Sequence, residues 1–463
     1  MTASSARSLL LSITGMVLVA CTASGPAAPS ASIAAGSSSA EPAEPSTAAP
    51  SSVASSTPEP SPLATARAGD SWLLVGRHGE PGLHVILDRT LEEDLAVPTG
   101  VPGERWGDVF TASPGTTTTV VKDVVIQPGY GGESQTIAGR WILPAIGMDP
   151  VPVGLSADRT TLVLVEPDVA HGAAGADRTQ SRFAILDANL FSRHDPRIVT
   201  LPGAFDFDAL SPDGSLLYVA EQIPGPLEGR YQVRAVETAT GRLRPEVIVD
   251  KRNLDEQMAG YPIDQVRRAD GMVMTLYRGA EYPFVHALSS VDAWAVCIDL
   301  PKAGFDDADA ATDWGITSLG VGKGDVVVNA TLGLAVAIDP SELTIRRSVE
   351  FEPSAASGIR LAKFGHVELG PAGRRVAASP DGASVYAAGE GGVVRLRARD
   401  LVVETRYLPG IAIDAIAVSP DGDSLFALTR TDGRIARLDA ASGEVDWWVG
   451  DGGFDRLLGA MPW

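Results

Sequence analysis

Six histidines, two cysteines and a scatter of aspartates are the residues of this 463-residue chain best suited to ligating a metal or doing proton chemistry. The histidines stand at 78, 84, 171, 194, 286 and 366, and no two have the spacing of a ligand motif; His78 and His84 flank a Gly-rich turn and could meet across a hairpin. There is no Gly-x-Ser-x-Gly elbow, no dinucleotide or phosphate loop and no paired-cysteine haem attachment, and electron transfer through covalent haem is thereby excluded. Cys297 lies in the apolar run Ala295-Val296-Cys297-Ile298 and is expected to be a buried, inert thiol. The aspartates are more suggestive. Counting back five residues from Ser113, Ser211 and Ser419 gives Asp108, Asp206 and Asp414, and Asp264 lies one residue off the same register. If these residues begin strands that surround a common axis, they make a negative funnel for Ca²⁺ or a cationic ligand. The alternative is that each accepts backbone hydrogen bonds at its own loop-to-strand junction. Asp307-Ala308-Asp309 opens like a calcium loop, but Thr312 stands where the EF-hand requires Gly and Ser318 where it requires Glu.

The elements that must position such residues repeat along the chain. Ser379-Pro380-Asp381-Gly382 precedes an apolar run, Ser419-Pro420-Asp421-Gly422 repeats it 40 residues on, and Ser211-Pro212-Asp213-Gly214 is a third copy. Pro pre-sets φ and Gly admits positive φ, a combination that suits tight reversals between antiparallel strands. The last full unit reads as four strands, 413–418, 424–429, 434–439 and 444–449. Weaker copies of the turn fall at Ser113, Ser156, Ala269 and Gly320. Four short antiparallel strands recurring every 40 to 60 residues predict an all-β propeller. Strict counting gives eight blades. The weakness of the units near residues 113 and 321 favours seven, with eight as the alternative. A partial unit near Trp72 lacks a first strand and Phe454 to Gly459 is a spare one, so the two ends are expected to share a blade.

Ahead of this body, Leu9 to Ala20 is an apolar run too short for a stable membrane span, and it ends in Leu18-Val19-Ala20-Cys21, which resembles the bacterial lipobox. The resemblance implies a signal peptide over residues 1–20, cleavage before Cys21 and a diacylglycerol anchor on its sulfur in the outer face of the cell membrane. Residues 22–66 are almost entirely Ser, Ala, Pro, Thr and Gly, too polar to bury a core. They predict a tether spanning roughly 40 Å as a coil and up to about 140 Å if extended. The propeller domain is then 67–463. Lys+Arg is 37 and Asp+Glu 58, a formal charge of −21, so nucleic acid and anionic lipid are poor bulk partners.

The segments Ser211-Pro212-Asp213-Gly214-Ser215-Leu216-Leu217-Tyr218-Val219-Ala220 and Gly433 to Gly443 resemble bacterial YVTN-type repeats, related to the quinoprotein amine dehydrogenase β-chain-like and WD-like propellers. The resemblance implies the fold and transfers no catalytic residue, because its motif is structural. Lipid anchor, tether and rigid repeat domain together lead to the expectation of a binding or scaffold module for an envelope protein, wall polymer or extracellular ligand. The alternative is a hydrolase, lactonase or quinoprotein-like oxidoreductase at the channel mouth. Insertions at 166–182, 224–231 and 251–262 are the expected partner rim, with Tyr261, Tyr282, Phe284 and Trp314 as candidate anchors.

Overall fold

The computed structural model describes residues 70–80, 82–91, 93–97, 100–102, 108–125, 132–146, 151–167, 178–192, 194–224, 229–253, 258–279, 282–302, 313–353 and 373–462. Cys21, the tether, the 307–312 loop and the interiors of the three rim insertions lie outside them.

Eight antiparallel blades follow one another along the chain, and in every blade but the first the innermost strand comes first in sequence. Blade 2 comprises Gly100–Pro102, Asp108–Pro114, Thr118–Val125 and Ser134–Ala138. Blade 3 has the three-stranded sheet Thr161–Val165, Gln180–Asp187 and Arg197–Pro202, and a bridge from Leu155 to Leu162 stands in for the inner strand. Blade 4 is Phe205–Leu210, Leu216–Gln222, Tyr231–Glu237 and Arg242–Ile248. Blade 5 is Gly260–Arg267, Met272–Gly279, Pro283–Ser289 and Trp294–Asp299. Blade 6 is Trp314–Ser318, Asp325–Asn329, Leu334–Ile338 and Ile345–Glu350. Blade 7 is Val376–Ala378, Ser384–Gly389, Gly392–Arg397 and Val402–Tyr407. Blade 8 is Ile413–Val418, Ser424–Thr429, Ile435–Asp439 and Val445–Val449. Blade 1 draws on both ends: Phe454–Pro462 is its inner strand and pairs with Ser71–Arg77, followed by Leu83–Leu87 and Glu93–Val97.

The propeller therefore has eight blades, not seven. Both units that favoured the lower count are real. The Gly320 turn joins the first two strands of blade 6. The Ser113 turn is real but sits elsewhere, between the second and third strands of blade 2, because a hairpin there uses the same residue types. Burial explains why the repeats read as apolar runs and not as alternation. The second strand Asp325–Asn329 and the third strand Leu334–Ile338 are buried throughout, covered on both faces by neighbouring blades, whereas the outer strand Ile345–Glu350 is almost wholly exposed. Eight apolar clusters result, one between each pair of adjacent blades.

Antiparallel order fixes two faces. First strands start at what we term the upper face, and the turns from first to second strand lie at the lower face. In the Ser211 turn the hydroxyl donates to Asp213 Oδ1 at 2.7 Å and accepts the Leu216 N–H at 2.9 Å, while Asp213 accepts the Ser215 N–H. Ser379 and Ser419 repeat this arrangement with Asp381 and Asp421. Gly214, Gly382 and Gly422 close these turns at φ of 67°, 66° and 82°.

Candidate ligand sites at the two channel ends

At the upper mouth the predicted aspartates are matched by arginines. Asp206 opens the first strand of blade 4 and takes hydrogen bonds from Arg178 Nη2 at 2.6 Å and Gln222 Nε2 at 2.8 Å. Asp414 sits in a bulge of blade 8 and receives Arg430 Nε at 2.6 Å; the same arginine also meets Glu390 of blade 7. Burial works against the Arg430 charge, but the two carboxylates outweigh it and raise its pKa above the ordinary value. Asp313, at the start of blade 6, pairs with Arg375 at 3.2 Å and accepts the Thr331 hydroxyl. Asp264, further along the first strand of blade 5 and below the mouth, accepts the N–H groups of Gln265 at 2.8 Å and Ile316 at 3.0 Å, with Arg374 of the channel wall 3.9 Å away. Its role is thus largely the local one.

Asp108 does not join this mouth. It begins the second strand of blade 2, which places it at the lower face, where it pairs with Arg159 of blade 3. Counting back from Ser113 misleads because that turn follows a second strand. Asp108, Asp206, Asp264 and Asp414 come from four blades and both ends of the channel. They do not form the convergent oxygen cage that Ca²⁺ requires. Among the described residues no group of three or more His, Cys, Asp or Glu is placed to hold a metal ion. His84 faces Glu80 at 3.3 Å.

Two of the four rim aromatics are core residues. Trp314 is 3% exposed, and Phe284 is buried with its ring 5.1 Å from Tyr277, which in turn stacks on Tyr231 at 5.0 Å. Tyr282 bonds to Asp299, and Tyr261 is half-buried on the first strand of blade 5. The aromatic stack lies between blades 4 and 5 beside two buried titratable groups. Asp208, in the bulge of Phe205–Leu210, is pushed up to about 7 by burial. His286 has both rings of the Tyr231–Tyr277 pair edge-on at 6.3 Å, its nitrogens meet no hydrogen-bond partner, and burial pushes it down to about 4. Cys297 is paired across the sheet with His286, and its N–H donates to Asp250 at 2.8 Å.

The lower end differs in shape. A cavity of about 460 Å³ occupies the channel, walled by Leu74, Val153, Leu155 and Leu458 from the inner region of blades 1 and 3 and by Arg159, Arg267, Arg268 and Arg374. Arg159 belongs to a fourth copy of the turn, with the Ser156 hydroxyl donating to Asp158 at 2.8 Å and accepting the Thr161 N–H at 3.0 Å. It stands where the other copies have Gly and adopts φ of 61°. For a side chain with a Cβ that conformation costs roughly 1–2 kcal/mol. Sequence reasoning picked out the Ser156 turn but gave no weight to an arginine in the glycine position, the one local sign that this turn does more than reverse the chain.

The closed ring and its two-ended channel define an eight-bladed β-propeller with an ion-paired upper mouth and an arginine-lined lower end. No protein-family model matches the chain, and no curated protein matches its sequence. Solved structures do share the fold. Apo AztD from Citrobacter koseri superposes with a TM-score of 0.52 at 12% identity, over 84% of this chain and 98% of that one. The dihydro-heme d1 dehydrogenase NirN in complex with DHE gives 0.51 at 14% identity, over 85% and 78%. At these identities the likeness is one of fold alone.

Proposed function

We propose that this chain is an extracytoplasmic propeller, anchored to the cell membrane through Cys21, that binds an envelope protein or wall polymer with its upper face and performs no bond-making chemistry there. The observation carrying this reading is the pairing of the mouth carboxylates: Asp206 with Arg178, Asp313 with Arg375, Asp414 with Arg430. A carboxylate already engaged by a guanidinium is a poorer ligand for a metal or a reacting atom, whereas alternating fixed charges on a rigid disk suit recognition. The Leu18-Val19-Ala20-Cys21 sequence supports the anchor, and an acidic body suits a partner with basic or hydroxyl groups.

Anchoring is tested by expressing the full chain in a lipoprotein-processing bacterium fed an alkyne fatty acid. The protein should be labelled and sediment with membranes, and Cys21→Ser should be unlabelled and released. Binding is tested by co-sedimentation with purified cell-wall sacculi and by cross-linking in intact envelopes. Loss of both signals on charge reversal at Arg178 and Arg430 is the expected result. Steady hydrolysis of lactones or esters by the purified chain, abolished by substitution at Asp206 or Asp414, would defeat the reading.

A further inference from the structure

The lower end of the channel runs against the charge of the rest of the molecule. The chain carries −21, yet the residues lining its cavity include four arginines and no aspartate or glutamate. Three of the four are committed to carboxylates beyond the cavity wall. Arg268 turns outward to Asp270 at 2.5 Å and Asp325 at 3.5 Å, Arg159 meets Asp108, and Arg374 lies 3.9 Å from Asp264 while donating to the Gln265 carbonyl at 3.1 Å. Arg267 is different. It ends the first strand of blade 5 and sends Nη1 across the channel to the Leu155 carbonyl of blade 3 at 3.1 Å, and it makes no ion pair with any described residue. Burial lowers its pKa, as expected for a guanidinium removed from water without a counter-charge.

A guanidinium held by one N–H still offers the rest of its planar fork, and that fork matches the two oxygens of a carboxylate. The surrounding walls are largely hydrocarbon, from Val153, Leu155 and Leu458, and the volume of about 460 Å³ lies within the range of small-molecule sites. We infer that the lower end of the channel binds a small organic monocarboxylate, with its carboxylate on the Arg267 fork, Arg159 and Arg374 as flanking positive charges, and its hydrocarbon part against Val153, Leu155 and Leu458. An inorganic oxyanion would satisfy the arginine but leave those apolar walls without a partner. The site is at the opposite end of the channel from the partner face proposed above and does not depend on it.

The experiment is calorimetric titration and thermal unfolding of the full-length chain with hexanoate and benzoate, using hexanamide and inorganic phosphate as controls. Both acids should bind saturably and raise the unfolding midpoint, hexanamide should do neither, and phosphate should bind more weakly than benzoate. Arg267→Gln should weaken binding of the acids by about tenfold or more, with Arg267→Lys recovering part of the loss. Arg374→Gln leaves the bond to Leu155 in place, so a several-fold loss there gives an independent reading should Arg267→Gln fail to fold. Absence of saturable binding by either acid, equal binding of hexanamide or of phosphate, or unchanged affinity in the folded Arg267 and Arg374 variants would overturn the inference.

Discussion

Asp208 and His286 flank the same pair of tyrosines, and their titrations act on stability in opposite directions. The Asp208 carboxyl, raised by burial from 3.8 to about 7, holds its proton in the folded state across a range in which the unfolded chain has released it. Stability from this group therefore falls as pH rises from about 4 to about 7. His286, lowered by burial from 6.5 to about 4, stays neutral when folded while the unfolded ring takes up a proton, so its contribution is lost as pH falls through that window. Between about 4 and 6.5 the two slopes offset each other. Urea unfolding as a function of pH should therefore give Asp208→Asn a stability that rises with pH in this window and His286→Phe one that falls. At pH 8 Asp208→Asn should exceed the parent by on the order of 2–4 kcal/mol, a gain that disappears below pH 4. Parallel slopes for the two variants would mean that the cluster is not dry. None of this was legible in the sequence: Asp208 is two residues from Asp206 and looks no different, and only the bulge at Phe207–Ala209 turns it into the core. The mouth arginines were equally hidden, since Arg178 lies 28 residues from Asp206 and Arg430 lies 16 from Asp414.

Among the elements, the Ser-Pro-Asp-Gly turn was the most readable, because its chemistry is local. The serine hydroxyl, the aspartate and the positive-φ glycine all act within five residues, so three copies were recognised at their correct place in the blade. Ser419→Ala removes an acceptor for the Ser424 N–H in a buried turn and a donor to Asp421. It should cost about 1–2 kcal/mol by chemical unfolding. Ser113→Ala, in a hairpin that lacks the aspartate, should change stability by less than about 0.5 kcal/mol. Equal effects would show that the hydroxyl network is decorative. Asp213 and Asp381 are held below the usual carboxylate range, chiefly by the serine hydroxyls, so the stability they add is complete above the unfolded value and is lost as pH drops through the folded one. Blade number was less accessible, because seven and eight blades use the same strands and turns and differ only in how tightly neighbouring sheets are wound about the axis. The inner element of blade 3 is held by bridges from Ile142 and Leu155, with a short hairpin between them, and gives no clean strand pattern.

At the scale of the whole molecule, stability rests on closure. Blade 1 receives its inner strand from the last residues of the chain, and the joint with blade 8 is reinforced where Arg437 meets the buried Asp88 and the guanidinium groups of Arg89 and Arg437 lie 4.2 Å and 4.3 Å from the Trp447 ring centre. Ending the chain at Gly453 removes the strand Phe454–Pro462 and opens two apolar edges at once. Such a chain should lose cooperative thermal unfolding and bind a hydrophobic dye, while Trp447→Ala should leave a folded ring with a midpoint lower by several degrees. A sharp native-like transition in the shortened chain would mean that the ring does not depend on its final strand. The same joint sets a schedule for biogenesis. Because blade 1 is completed by the strand Phe454–Pro462, a nascent chain stays an open crescent until that strand has been made. Quality-control proteases would see exposed edges throughout that interval, and a premature stop just ahead of Phe454 would be as damaging as one near the middle of the gene.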